Sequence, residues 1–166
     1  TTGDAPLEPG VVLFDWGATV AGYNSDMTRT VGLGRLPEKI REIYAIVLDA
    51  QLAAIDAIAP GLTCASIDAV ARHVITRAGY GEYFGHGLGH GLGLEVHEGP
   101  YFNNLSTDIR LEPGMVMTVE PGIYLPGDGG VRIEDDIVVT ESGCRLLSDY
   151  SKRLDEAIID PQTTGA

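Results

Sequence analysis

Four carboxylates fall where a chain rarely leaves a charge unattended. Asp15 interrupts the apolar run Val11–Trp16 (VVLFDW), and Asp26 follows in GYNSDMTRTV. Met115–Val119 runs straight into Glu120, and Glu134 sits inside the apolar segment VRIEDDIVV. A buried carboxylate without a partner is costly or takes up a proton. If the first segment turns back near Thr19–Ala21, Asp15 and Asp26 stand opposite or diagonal on one side of a hairpin, with Cβ atoms roughly 4.5–8 Å apart. At that separation they repel unless a cation lies between them. The second pair repeats the pattern, and Arg132 shares the face of Glu134 by strand alternation. Any one of these acids alone reads as an edge-strand charge or a satisfied pair. Four in two similar hairpins read as a metal site. Asp135 points to the opposite face and reads as structural, whereas Asp136 shares the Glu134 face and stays open.

The histidines add nitrogen donors. The segment GHGLGHGLGLEVH places His86, His90 and His97 among glycines at alternate positions. The spacing of His86 and His90 would suit a helix, but each glycine there costs about 1 kcal/mol relative to alanine, so the backbone is irregular or extended and close to something. No GxGxxG arises, so a dinucleotide loop has no support. One imidazole with four carboxylates is an oxygen-rich set that favours Mn, Co or Zn and exceeds what one ion takes. Two divalent ions sharing bridging carboxylates solve that excess, as in two-metal hydrolases. His73 reads as a surface residue.

Regular elements must position these groups. Val11–Trp16 and Gly22–Val31 read as paired strands. Pro37 opens a helix in which Ile40, Ile43, Tyr44, Val47, Leu48, Leu52, Ile55 and Ile58 form one stripe, stopped by Pro60-Gly61. A second helix starts near Ser66 and stops at Gly79. Strands follow at Met115–Val119, Val131–Thr140 and Cys144–Leu147, and Arg153–Ile159 looks helical before a frayed polar end. The expected fold class is α+β, a curved, mostly antiparallel sheet backed by two helices.

Composition narrows the partners. In 166 residues, 24 acids and 11 bases give a net charge of −13, which argues against nucleic acid and anionic membrane surfaces. No apolar run approaches the ~20 residues that cross a bilayer, and no leader pattern is evident. Cys64 and Cys144 lack a CxxC spacing and read as reduced thiols, which suggests a cytoplasmic protein. Glycine is abundant, 22 residues, much of it in the histidine segment and the turns.

Asp15-x-Gly17 with GYNSDMTRT, then HGLGHGLGLEVHEGP, LEPGMVMTVEPG and GVRIEDD together resemble the catalytic domain of the pita-bread metallopeptidases. Within that family the likeness is to Xaa-Pro aminopeptidases and Xaa-Pro dipeptidases (prolidases), and it runs from about Leu7 to Leu147. The resemblance implies Asp15 on one metal, Asp26 and Glu134 bridging both, and His90 and Glu120 completing the second. Mn or Co is the expected metal, with Zn as the alternative. A water activated by the two cations would attack the scissile carbonyl, with Glu120 doubling as proton shuttle. His86, His97 and Arg132 match positions that hold substrate and stabilise the oxyanion. The implied substrate is a peptide or dipeptide with proline in second place.

The family's catalytic domain has two similar halves, and the first would precede Val11. The expectation is therefore the C-terminal part of a pita-bread fold, with residues 1–150 a partial catalytic domain and 151–166 a tail. The missing N-terminal part of the same protein is the expected partner, and a homodimer stays open. Such a fragment could be inactive alone. Methionine aminopeptidases share the five ligands but match the histidine string less well. Creatinase-like enzymes and metal-free peptide-binding modules of this fold lack ligands that are present here.

Overall fold

The computed structural model describes residues 7–160. Strand β1 (Gly10–Trp16) leads through a small hairpin of β2 (Thr19–Val20) and β3 (Tyr23–Asn24) into β4 (Met27–Leu33). β1 and β4 pair antiparallel from Gly10↔Leu33 to Trp16↔Met27. The turn at the tip passes through Ala21 and Gly22, at φ 52° and 86°. The single strand expected over 22–31 is broken at Ser25–Asp26. There the Ser25 N–H donates back to the Ala18 carbonyl, and the Asp26 N–H donates to the Asp136 carboxylate.

Helix α1 (Glu38–Ala57) starts directly after Pro37 and buries Ile40, Ile43, Tyr44, Val47, Ala50 and Ala54. Leu52, counted in the apolar stripe on spacing, stands 47% exposed. Helix α2 (Cys64–Arg77) begins two residues before Ser66, because the Thr63 side chain caps it by accepting from the Ser66 N–H. Its last residue is Arg77, and Gly79, just beyond the Ala78 cap, turns the chain away at a φ of 89° that suits glycine.

The remaining strands are β5 (Gly89–Gly91), β6 (Glu98–Phe102), β7 (Val116–Val119), β8 (Gly122–Leu125), β9 (Gly129–Arg132), β10 (Asp135–Val139), β11 (Cys144–Leu146) and β12 (Ile158–Ile159). One sheet runs β1-β4-β12 and a second runs β11-β10-β7-β5-β6, with β8-β9 a separate hairpin. Among these pairings only β12 on β4 is parallel. Two helices against a mostly antiparallel framework agree with the expected α+β class.

Two more elements differ from the sequence expectation. The single strand over 131–140 is divided at Ile133–Glu134, where the chain changes partners. Ile133 donates to Pro121 and Glu134 donates to Thr28 across the first sheet. The helix over 153–159 is absent. Arg153 and Leu154 carbonyls accept from Ala157 in a single turn, after which Ile158↔Gly32 and Ile159↔Leu33 add a strand to β4. The polar end expected to fray, 161–166, lies outside the described residues.

Tyr44, Val47, Ile67, Phe102, Met117, Val119 and Ile137 belong to one apolar core between the helices and the larger sheet. Cys64 is buried in it and both cysteines are free. A polar network ties the two sheets together beside that core. Arg29, 2% exposed, donates to Asp135 Oδ1 at 2.6 Å and to the carbonyls of Glu134 and Tyr150. Lys152 and Gln51 donate to the other Asp135 oxygen. Asp135 is thus spoken for on the face away from Glu134.

Candidate metal centre

Asp15 on β1 stands across from Thr28 on β4, so Asp26, two residues before Thr28, lies diagonally from it. His90 is the middle residue of β5, Glu120 follows β7 directly, and Glu134 sits at the break before β10. Ligand atoms of Asp15, Asp26 and Glu134 lie within 4.8 Å of one another, as do those of His90, Glu120 and Glu134, and those of Asp26, His90 and His97. Asp26, His90 and Glu134 each belong to two of these groups. All five sequence-predicted ligands therefore converge, with His97 at their edge.

The glycines allow the convergence. A Cβ on Gly89 would stand 2.1 Å from the Thr118 carbonyl oxygen, and one on Gly91 would stand 2.6 Å from that of Gly99. The close approach expected of this segment is to the backbones of its neighbouring strands. It brings His90 beside the end of β7, where its Nε2 lies 3.3 Å from Glu120 Oε1 and 3.9 Å from Asp26 Oδ2. His90 Nδ1 donates to the Gly91 carbonyl at 3.0 Å, which leaves Nε2 facing the acids.

The electrostatics of this pocket call for positive charge. Burial, with the neighbouring charge of Glu120 next, pushes the Glu134 carboxyl up to about 9. Burial pushes Glu120 up to about 7, against the pull of Arg132. Asp26 is raised by burial and by Asp15. Glu134 Oε1 is buried without a hydrogen-bond partner. Such a carboxylate holds a proton or takes a cation, and three or four oxygens with one imidazole suit a divalent ion of the Mn, Co or Zn type. The residues fit the expected metals.

The expected substrate-facing groups lie on one side of the ligands. His86, His90, His97, Glu120 and Arg132 line a cleft of about 300 Å³. His86 Nδ1 donates to the Gly87 carbonyl at 2.7 Å, so Nε2 accepts from the Tyr124 hydroxyl at 2.9 Å. Arg132 Nη1 donates to the same hydroxyl, and Nη2 pairs with Asp15 at 2.5 Å. Burial lowers the His86 pKa, with Arg132 and Arg72 adding to the effect, so the ring is neutral. His97 is exposed, and its ring centroid lies 4.3 Å from that of His90. His73 is exposed on α2.

Sequence reasoning missed Tyr124, Thr28 and Thr118. Thr28 Oγ1 donates to Glu134 Oε2 and accepts from Arg132 Nε, while Thr118 Oγ1 donates to Glu120 Oε1 and accepts from the His90 N–H. The spacings Asp26-x-Thr28 and Thr118-x-Glu120 carried a signal, since residues two apart on a strand share a face. Asp136, left open on spacing, is not among the ligand groups. Its Oδ2 accepts from the Asp26 N–H at 3.0 Å and anchors the backbone of that candidate ligand.

The family model of metallopeptidase family M24 matches residues 1–141. The chain belongs to this family. A curated M24 relative, the Xaa-Pro dipeptidase of Pyrococcus furiosus (strain ATCC 43587), is 49% identical over 152 residues, which are 91% of this chain and 43% of that protein. The crystal structure of the prolidase from Pyrococcus horikoshii OT3 superposes with a TM-score of 0.89 at 48% identity, over 92% of this chain and 44% of that one. An X-Pro aminopeptidase from Thermotoga maritima MSB8 gives a TM-score of 0.86 at 44% identity, over 90% and 41%. The chain thus spans less than half the length of the M24 relatives it matches. The likeness in fold extends to the two helices and the antiparallel framework of the C-terminal pita-bread part.

Proposed function

We propose that this chain carries the metal ligands and acid–base groups of an Xaa-Pro peptidase, which hydrolyses the bond between an N-terminal residue and proline with two divalent cations. The observation that carries this reading is the convergence of Asp15, Asp26, His90, Glu120 and Glu134, with Asp26, His90 and Glu134 each in two ligand groups and, of these three, the two carboxylates offering two oxygens apiece. Asp15 would serve one cation, Asp26 and Glu134 both, and His90 and Glu120 the second. The cations would supply Lewis-acid activation of the scissile carbonyl and of a water molecule. Mn or Co is the proposed metal, with Zn as the alternative.

The protein's own groups would do the rest. Glu120, raised toward neutrality by burial, is suited to take a proton from the attacking water and hand it to the departing proline nitrogen. The Tyr124 hydroxyl, bonded to both Arg132 and His86, would fix the Arg132 guanidinium as a donor toward the developing oxyanion and His86 as a contact for the substrate. His97, exposed at the cleft mouth, would contact the substrate. The names of the relatives support proline in second place.

The working enzyme would include polypeptide beyond this chain, packed against β1. That strand is at a sheet edge, with Phe14 48% and Trp16 43% exposed. The −13 charge argues against nucleic acid as a partner, and a cytoplasmic setting fits two free cysteines. The test is hydrolysis of Ala-Pro and of Gly-Pro-containing tripeptides by the metal-loaded protein, with metal analysis. Two equivalents of metal and cleavage at proline are expected. Cleavage of dipeptides alone would make it a dipeptidase, and cleavage of the tripeptides an aminopeptidase. Failure on all of them, by the chain together with its remaining polypeptide, would sink the proposal.

A further inference from the structure

Asp68 lies on the buried face of α2, 1% exposed, and has no part in the chemistry above. Arg72, one turn on, grips its carboxylate with both arms: Oδ2 accepts from Nε at 2.9 Å and Oδ1 from Nη2 at 3.0 Å. The remaining reach of both side chains goes to the loop before β5. Arg72 donates to the carbonyls of Phe84 at 3.0 Å and His86 at 2.8 Å, and Asp68 Oδ1 accepts from the Leu88 N–H at 3.0 Å. Residues 84, 86 and 88 are therefore all held by two side chains of one helix turn. The rings continue the contact. The Arg72 guanidinium stands 4.3 Å from the centre of the Phe84 ring, which meets the His86 imidazole edge-on at 5.0 Å and 86°.

The restraint passes one step further. The Leu88 carbonyl accepts from the Glu120 N–H at 2.7 Å, so a single residue, Leu88, links the Asp68 carboxylate to the backbone of Glu120. A pair serving only to dock a loop on a helix would need one of these bonds. Here a planar fork meets two carbonyls at alternate residues, a geometry that a lysine cannot reproduce.

We propose that Asp68 and Arg72 are positioning residues that fix His86 and, through the backbone of Leu88, Glu120. The effect on turnover rests on the functional reading of those two groups, whereas the effect on the His86 ring does not.

The substitutions are Arg72→Lys and Asp68→Asn, the second keeping shape and an acceptor so that the fold is retained. Imidazole proton–nitrogen spectra of the metal-free protein read the first arm. Wild type is expected to show His86 as one tautomer with the proton on Nδ1, and Arg72→Lys a mixture, with His90 unmoved. Manganese titration is expected to reach the same stoichiometry in all three proteins. In the metal-loaded protein with its full polypeptide, Arg72→Lys is expected to lower kcat on Ala-Pro about tenfold, but less than twofold in a His86→Ala background. Asp68→Asn is expected to keep a loss in that background through Glu120. Unchanged His86 signals in both variants would overturn the proposal, as would a full tenfold loss from Arg72→Lys without His86. Altered signals with unaltered turnover would uphold the positioning and overturn the substrate-facing role of His86.

Discussion

Glu120 is the residue on which the proposed chemistry turns, and its position explains why. It follows β7 directly, is held by Thr118, and lies between His90 and Arg132. Substitution by glutamine keeps an oxygen donor for a metal but removes the exchangeable proton. Glu120→Gln is expected to lower turnover about a hundredfold or more with two metal equivalents retained, the range of general acid–base contributions. A loss under tenfold with full metal content would exclude the shuttle role. At this scale the sequence was informative for a physical reason. A carboxylate inside VRIEDDIVV is expensive unless something binds it, so Glu134 announced itself. Asp15, in contrast, stands exposed on β1 and was legible only from the apolar residues around it and its spacing to Asp26. Tyr124, Asp68 and Arg72 gave no such signal, because they act on groups far along the chain and leave no imbalance in their own segment.

Among the elements, β5 sets the site's precision. Its glycines let it lie against β7 more closely than any side chain permits, and this closeness sets the distance between His90 and Glu120. Gly89→Ala would drive a methyl group into the Thr118 carbonyl. It is expected to destabilise the fold by about 3 kcal/mol, at the upper end of overpacking effects. Gly85→Ala, where a Cβ meets nothing within 4 Å, is expected to stay within about 0.5 kcal/mol of wild type. Urea unfolding of the two variants measures both, and equal effects would show that packing at Gly89 is not the constraint. The elements were also legible to different degrees. Both helices followed from their apolar stripes and stop signals. The break at Ile133–Glu134 did not, because no glycine or proline marks the point where the chain switches hydrogen-bond partners. The stretch over 153–159 had a helix-like spacing, but the pairing of Ile158 and Ile159 with β4 outweighed it.

For the whole molecule, the gathered acids make stability depend on pH and on metal together. Glu134 and Glu120 have folded pKa values near 9 and 7, against an ordinary value of 4.5. Between those values the folded state holds protons that the unfolded state has released, so stability falls as pH rises through the window. The melting temperature of the metal-free protein is therefore expected to drop from pH 7 to pH 9. Saturating manganese replaces the protons and is expected to abolish or reverse that drop. A metal-free melting temperature independent of pH would contradict this, as would a drop that saturating metal left intact.

The donors have one more consequence. Asp15 and Asp26 belong to the hairpin of β1 and β4, whereas His90, Glu120 and Glu134 belong to the larger sheet and its ends. An ion taking donors from both closes a long loop of the chain, as a cross-link would. Loops of that length lose much of their freedom in the unfolded ensemble when tied, and the gain grows only slowly with further length. A chelator would then do to this fold what a reducing agent does to a disulfide-bonded one.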